Sequence, residues 1–279
     1  MDKRKKNIFL IIWGCVLLLL LLGIFLLGSP REKEETLQEV MYDSIMHESN
    51  KVSFFGLEVN PAVASAYIVT GALLVCAALL RIFAIPRFKK IPGRLQLLLE
   101  ALVGYFDNLA KTNSPHRNRL LGVYVFAAGV YIAFSTLFEL FGIQVIATNG
   151  ASISLPAPIS DINAAIAMGC TSYLFILVGG TVAAGPRGFL SSLKEFSLPI
   201  SMSFRLFGAL VSGLLVTELV YYSISLSFVL PVIVGVLFTA LHALIQTYVL
   251  TLLTSVFYGE VTEKPEKKPK TKKSKKAIA

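Results

Sequence analysis

The sequence predicts an all-α polytopic membrane protein with about six transmembrane helices. Hydrophobic residues make up 55% of the 279 residues, charged residues only 15%, and the mean hydropathy is +0.70. This composition is rare among soluble chains of such length and typical of membrane proteins. Six apolar runs are long enough to cross a hydrocarbon core of about 30 Å. They cover residues 8–28, 61–85, 120–141, 162–184, 203–228 and 232–258.

The first apolar run could be a signal peptide or a membrane anchor, and this decides how the N-terminal part of the chain is divided. It follows four cations at residues 3–6 and so has features of a signal peptide. However, it is long and has no small-residue cleavage site at "LLGSPR", which favours an uncleaved anchor. We divide the chain into an anchor or signal-like helix (1–29), an extracytoplasmic segment (30–59), a membrane domain (60–258) and a cytoplasmic lysine-rich tail (259–279).

Lysine and arginine mark the predicted inner loops. Seven lie between the second and third runs, two follow the fourth, and the tail holds eight lysines in "KPEKKPKTKKSKK". Residues 142–161 contain none, and residues 29–59 contain three against seven acids. The positive-inside rule therefore predicts that both termini are cytoplasmic. Because the net charge of +9 is placed in this way, we expect no nucleic-acid partner.

Residues 93–111 form a predicted helix outside the spans. Apolar side chains recur there at helical spacing, with polar residues between them: Leu95, Leu98, Leu99, Leu102, Val103 and Phe106. The pattern predicts an amphipathic interfacial helix that lies along the inner membrane face or packs on the protein.

Polar residues in the last two runs indicate function, because burying them in a membrane is costly. They are Arg205, Glu218, Thr239, His242 and Gln246. Arg205 keeps its proton at any accessible pH and cannot relay one. It can, however, attract a carboxylate and lower the pKa of that group. Alternatively, Arg205 is structural and pairs with Glu195, ten residues earlier.

The last two runs are expected to form an antiparallel hairpin that turns near Pro231. At about 1.5 Å per residue, Arg205 would lie roughly 39 Å before that turn and Gln246 roughly 22 Å after it. The prediction is therefore a long hairpin whose first helix is tilted or curved.

Two stretches of this hairpin are specific enough to indicate a family. "SLPISMSFRLFGALVSG" and "IQTYVLTLLTSVFY" resemble motifs of subunit a in the membrane sector of F-type ATP synthases, the ATPase subunit 6 family. "KKIPGRLQLLLEALVGYF", "FSTLFELFG" and "PISDINAAIAMG" are similar to further segments of that family. The resemblance covers residues 60–258.

The resemblance implies an ion-translocating stator subunit of a rotary ATP synthase, with two half-channels against a ring of c subunits. The family arginine that matches Arg205 faces the carboxylates of the ring and separates the half-channels, and the family glutamine matches Gln246. The implied partners are the c-ring, the b-subunit peripheral stalk, the F1 sector indirectly and the lipid bilayer of a bacterial-type plasma membrane. The expected ion is the proton, and the residues of this chain do not distinguish it from Na⁺.

The chain departs from the family motifs at Thr136, Ala209, Leu214 and Thr239. Glu218 lies one helical turn beyond Leu214, so we expect that the half-channel carboxylate has moved by one turn. The alternative is an interfacial Glu218. His242, one turn before Gln246, either relays protons or is a satisfied core residue. Further candidates for lining the half-channels are Glu139, Asp161, Asn163 and Thr239, and Asp161 has the alternative role of a helix cap.

Other functions predict features that the sequence lacks. A stand-alone ion channel or secondary transporter, the alternative function, predicts inverted repeats and broken helices. A membrane hydrolase predicts a nucleophile–base pair or a metal-binding histidine pair. The sequence has no phosphate-binding or dinucleotide-binding motif, and Cys15, Cys76 and Cys170 lack metal-ligand spacing. We therefore expect a chain that is not an enzyme by itself and holds no cofactor or metal.

Overall fold

The computed structural model describes residues 14, 15, 18, 22, 51–54, 56–148, 150, 152–222 and 230–263. The predicted span at 8–28, apart from four positions, and the lysine tail beyond residue 263 lie outside the described residues. Five helices in the described part are long and apolar enough to span a membrane: Pro61–Arg87, Asn118–Phe141, Ile162–Ala184, Ser197–Thr217 and Val232–Thr262. They confirm the all-α class and the five later predicted spans.

Seven α-helices follow one another along the described chain. They are α1 (Pro61–Leu79), α2 (Arg94–Asn113), α3 (Asn118–Leu137), α4 (Ile162–Ala184), α5 (Pro186–Lys194), α6 (Ser197–Tyr222) and α7 (Leu230–Thr262). A π turn and a 3-10 turn extend α1 to Arg87. Pro61 and Pro186 are the first residues of their helices, where a missing N–H leaves no hydrogen bond unmade.

Two short antiparallel hairpins lie outside the helices. They pair β1 (Val52–Phe54) with β2 (Leu57–Val59), and β3 (Gln144–Ile146) with β4 (Ser152–Ser154). Val52 is opposite Val59 in the first, and Gln144 is opposite Ser154 in the second.

The predicted amphipathic helix is α2, and its two halves differ. Phe106 and Ala110 are buried in the core, where the Phe106 ring meets the Phe126 ring edge-on at a centroid distance of 5.8 Å. Leu95 and Leu98, in the first half, are exposed. The C-terminal half therefore packs on the protein, while the N-terminal half keeps an uncovered apolar surface.

Helix α7 packs against α3, α4 and α6, with smaller contacts to α2 and α5, and its buried residues lie mostly in its C-terminal half. Glycines allow this close approach. A Cβ atom on Gly179 would contact the ring of Tyr258, and one on Gly129 would lie 2.6 Å from the ring of Phe106. Tyr258 also stacks on Phe175 at a centroid distance of 5.0 Å. The end of α7 is thus held by aromatic packing against α4.

Candidate functional site

Helices α6 and α7 carry the predicted site residues and contact each other where His242 meets Gly213. A Cβ atom on Gly213 would lie 3.3 Å from Nδ1 of His242, so the glycine leaves room for the imidazole ring. The connection, residues 223–229, is too short to bring two parallel helices together at this point. The two helices are therefore antiparallel.

This contact corrects the predicted turn of the hairpin. Pro231 is the second residue of α7 and not part of the turn. Arg205 lies eight residues before Gly213, and Gln246 lies four residues after His242. The arginine and the glutamine therefore differ by only about 6 Å along the helix axes, at about 1.5 Å per residue. The sequence predicted a larger difference in depth between the arginine and the glutamine. That prediction was wrong because it placed the turn near Pro231.

The two faces of α6 have different surroundings. Met202, Leu206 and Leu210 are buried in the core, and Gly169 of α4 contacts the helix at Ser203. The opposite face is exposed and consists of Ser201, Phe204, Arg205, Gly208 and Ser212. Three of these five side chains are small, which leaves a shallow surface around the arginine.

Arg205 is exposed and makes no hydrogen bond or ion pair with any residue that the structure describes. The alternative role of Arg205, a structural ion pair with Glu195, does not occur in the structure. The ion pair found in the described part joins Lys111 to Asp107 at 2.5 Å. Glu218 lies thirteen residues further along α6, a separation of about 20 Å along the axis. The guanidinium is therefore available to a group outside this part of the chain.

Thr239, His242 and Gln246 share one face of α7, because spacings of three and four residues return to the same side of a helix. Gln246 is only 6% exposed, and Thr239 and His242 are half-buried. The His242 ring lies 5.9 Å from the Phe238 ring, centroid to centroid. Among the described residues neither the imidazole nor the Gln246 amide has a hydrogen-bond partner. Both groups keep their donor and acceptor capacity for water or an ion.

Glu218 and Thr136 stand at or near positions where the chain departs from the family motifs. The backbone of Glu218 belongs to α6, one turn beyond the half-buried Leu214, while its side chain lies outside the described part. Thr136 is buried and donates to the carbonyl of Ile132 at 2.9 Å. Its hydroxyl is thus satisfied within its own helix.

Asp161 begins α4 as its N-cap. Its Oδ1 accepts the backbone N–H of Asn163 at 2.6 Å, and its Oδ2 accepts Nδ2 of Asn60 at 2.7 Å. Asn60 in turn caps α1, where its Oδ1 accepts the N–H of Ala62 at 3.0 Å. The starts of α1 and α4 are therefore tied together through their caps. The Asn163 side chain is exposed, and Glu139 is half-buried in the 3-10 turn after α3.

Sequence reasoning missed Asn60 and three buried hydroxyl groups. Asparagine followed by proline before an apolar run is a helix-start signal that could have found Asn60. The hydroxyl oxygens of Ser114, Ser135 and Thr247 are buried without a hydrogen-bond partner in the described part of the chain. Thr247 follows Gln246 in α7, and Ser135 belongs to α3. No local sequence signal marks them.

Comparison with known proteins decides the family. The sequence profile of ATP synthase A chain matches residues 65–259. The chain belongs to this family. Among its curated relatives, ATP synthase subunit a of Cereibacter sphaeroides is 26% identical over 199 residues, covering 67% of this chain and 76% of the relative. ATP synthase subunit a 2 of Vibrio campbellii is 24% identical over 204 residues, covering 63% of this chain and 78% of the relative.

Membership of the ATP synthase A chain family confirms the resemblance inferred from the motifs. Together with the five candidate spans, it makes the chain a multi-pass membrane component of an ATP synthase. The matched region begins within α1 and ends within α7, so it includes Arg205 and Gln246. Across the described residues, no group of three or more His, Cys, Asp or Glu side chains could hold a metal ion.

Proposed function

We propose that this chain is the ion-translocating stator subunit of a rotary F-type ATP synthase and forms two half-channels against a ring of c subunits. The proton is the proposed ion. The observation that carries the proposal is Arg205, which is exposed on the small-residue face of α6 and has no partner among the described residues. Family membership supports the same assignment.

A guanidinium on an apolar surface favours a partner that carries a carboxylate. Attraction between the charges lowers the pKa of that carboxyl group, so the group releases its proton as it reaches Arg205. The guanidinium stays charged at every accessible pH and repels cations that approach along α6. Proton exchange is then confined to the two sides of the arginine, which is the requirement for two separate half-channels.

The surface around Arg205 suits close contact with a partner helix. A Cβ atom on Gly208 would meet nothing within 4 Å, so the space in front of this glycine is open. Small residues at a helix surface let two membrane helices approach closely. On α7, Leu241, Leu244 and Tyr248 are exposed. We assign this surface of α6 and α7 to the c-ring.

The antiparallel register supports a polar path beside Arg205. Gln246 lies four residues after His242, and Ala209 lies four residues before Gly213. Because His242 contacts Gly213, Gln246 is at the level of Ala209, one of the positions where the chain departs from the family motifs. We propose that Gln246 and His242, together with Thr239, supply the polar groups that the apolar Ala209 and Leu214 of α6 cannot provide.

Glu218 is our proposed loading carboxylate on the outer side, one turn beyond Leu214. Asp161, Asn163 and Glu139 are proposed to line the entrance to the same half-channel. Both carboxylate oxygens of Asp161 already accept hydrogen bonds, so this residue also holds the helix starts that shape the entrance.

The proposal includes an orientation with both termini in the cytoplasm, where the b-subunit stalk links the chain to the F1 sector. A cysteine introduced at Asn149 should react with an impermeant reagent from outside. A cysteine at Ser274 should react only after permeabilisation. The reverse pattern of labelling would contradict the orientation.

The central test is Arg205→Ala in the whole complex in inverted membrane vesicles. We expect ATP-driven ion pumping to fall to background while the complex remains assembled, because the exposed side chain supports no packing. Arg205→Lys should fail almost as completely, since an ammonium lacks the planar guanidinium and loses its proton more readily. Arg187→Ala, which removes another exposed arginine, is the matched control and should pump normally. Normal pumping by Arg205→Ala would remove the central claim.

The role of Glu218 needs its own test. Glu218→Gln should reduce pumping severely without making the membrane leaky, because loading from one side is lost while Arg205 still separates the half-channels. Adding Leu214→Glu to this variant should restore part of the activity. Unchanged pumping by Glu218→Gln would show that Glu218 is an interfacial residue.

A further inference from the structure

The end of α1, the connection after it and the first residues of α2 are together strongly cationic. Residues 81–98, called the basic turn below, contain no acid and five cations: Arg81, Arg87, Lys89, Lys90 and Arg94. All five side chains are exposed, and none forms an ion pair with a described residue. Cations concentrated in so short a segment create a positive potential that attracts an anionic partner.

Gln96 ties the basic turn to the first turn of α2 by hydrogen bonds. Its Oε1 accepts the backbone N–H of Lys89 at 3.0 Å, and its Nε2 donates to the carbonyl of Lys89 at 2.9 Å. The same Nε2 donates to Oε1 of Glu100 at 2.7 Å. The side-chain amide therefore pairs with the backbone in both directions and keeps Lys89 beside the first turn of α2.

Apolar side chains project from the same segment. Ile91 is 87% exposed, and Ile82, Phe83, Leu95 and Leu98 are also exposed. Cations next to exposed apolar side chains are typical of segments that lie in the membrane interface. There the apolar groups enter the acyl region, and the cations reach the phosphates of the headgroups.

We infer that the basic turn binds the anionic headgroups of phospholipids, and that Gln96 is a positioning residue for this surface. An acidic segment of a partner protein would complement the positive charge of the basic turn but would not cover its apolar side chains. A lipid interface matches the charge and also covers Ile91 and its apolar neighbours. This inference concerns lipid binding and does not depend on the proposed ion translocation.

The test compares lipid binding by the purified full-length chain, offered equal amounts of phosphatidylglycerol and phosphatidylcholine, with bound lipids counted by native mass spectrometry. We expect the wild-type chain to prefer phosphatidylglycerol. Lys89→Gln/Lys90→Gln should reduce that preference by about 30-fold, the factor that two cations near a membrane surface contribute. Lys89→Arg/Lys90→Arg keeps the charge and should keep the preference. Arg187→Gln/Lys194→Gln removes two exposed cations of α5 and should leave it unchanged.

Gln96→Ala tests the clamp, because it leaves the net charge of the turn unaltered. We expect this variant to lose several-fold of the preference for phosphatidylglycerol. An unchanged preference would show that Gln96 has no positioning role. Equal binding of both lipids by the wild-type chain would overturn the inference. So would a Lys89→Gln/Lys90→Gln variant that keeps the lipid preference but loses other subunits during purification of the complex, since the turn would then bind protein.

Discussion

The two halves of α7 have opposite surroundings, although both are apolar. Between Val232 and Ile245, Ala243 is the one buried residue of a fully described stretch. From Leu250 to Thr262, the buried residues are Leu250, Thr251, Thr254, Ser255, Tyr258, Gly259, Val261 and Thr262. The C-terminal half is therefore a core helix, and the N-terminal half is largely a surface.

The difference arises from side-chain size and from polar groups that are satisfied locally. In the buried half, Thr254 donates to the carbonyl of Leu250 at 2.8 Å, and Ser255 donates to that of Thr251 at 2.7 Å. These short side chains let neighbouring helices approach and leave no polar atom unpaired. The exposed half has large side chains such as Leu244, which is 73% exposed. We conclude that the chain completes its own core at one end of α7 and requires lipid or a partner at the other.

Tyr258→Ala should break the buried half most strongly. The Tyr258 ring stacks on Phe175 and covers Gly179, so its loss leaves a cavity at the end of α7. We expect a loss of about 3–5 kcal/mol in the free energy of unfolding. The measurement is equilibrium unfolding of the purified chain in detergent. Tyr248→Ala, in the same helix but 48% exposed, is the matched control and should have little effect. Equal losses for both variants would contradict the comparison.

Gly259→Ala should be the next largest effect. A Cβ atom on Gly259 would contact the backbone carbonyl oxygen of Asn113, which cannot move without shifting α2. Overpacking of this kind costs about 1–3 kcal/mol of the free energy of unfolding. Gly235→Ala makes the same change in the exposed half, where a Cβ atom meets nothing within 4 Å. This control should be neutral or slightly stabilising, because alanine favours a helix. A destabilised Gly235→Ala chain would show that the exposed half is packed.

Gly208→Leu tests whether an exposed surface of the chain has a function, because the substitution should alter pumping and leave stability unchanged. The space in front of Gly208 is open in the chain, so the substitution should not lower the midpoint of thermal unfolding. If the c-ring packs on this face, a leucine should reduce ATP-driven pumping by about tenfold or more, equivalent to at least about 1.4 kcal/mol of lost contact. Gly71→Leu, also in open space but on α1, should pump normally. Full pumping by Gly208→Leu would argue that this face is not the ring contact.

His116→Ala should have the smallest effect. The hydroxyl of Thr262 donates to the carbonyl of Tyr258 at 2.6 Å, so His116 Nε2 is the donor in its 2.9 Å contact with that hydroxyl. Losing this hydrogen bond should cost about 1 kcal/mol of the free energy of unfolding and leave pumping intact. His242→Ala should do the reverse and lower pumping with little loss of stability. If His116→Ala lost pumping and His242→Ala lost stability, the roles given to the two histidines would be contradicted.

Much of this architecture could be predicted from local sequence. The five described spans and α2 follow from hydropathy, run length and helical spacing, which are properties of adjacent residues. Arg205 stands out because a permanent charge in an apolar run is costly, and its motif, with that of Gln246, indicated the family. The helix start at Asn60 also has a local signal, since asparagine precedes proline there.

Tertiary structure alone decided which residues meet. The contact of His242 with Gly213 sets the level of Gln246 relative to Arg205, and the bond from Asn60 to Asp161 joins caps that are 101 residues apart. Neither has a local signal, because both depend on how helices distant in sequence pack. Large apolar side chains occur on every side of α6 and α7, so hydrophobic periodicity cannot distinguish a face buried in protein from one that faces lipid or a partner. Only the packing of α7 against its neighbours makes that distinction.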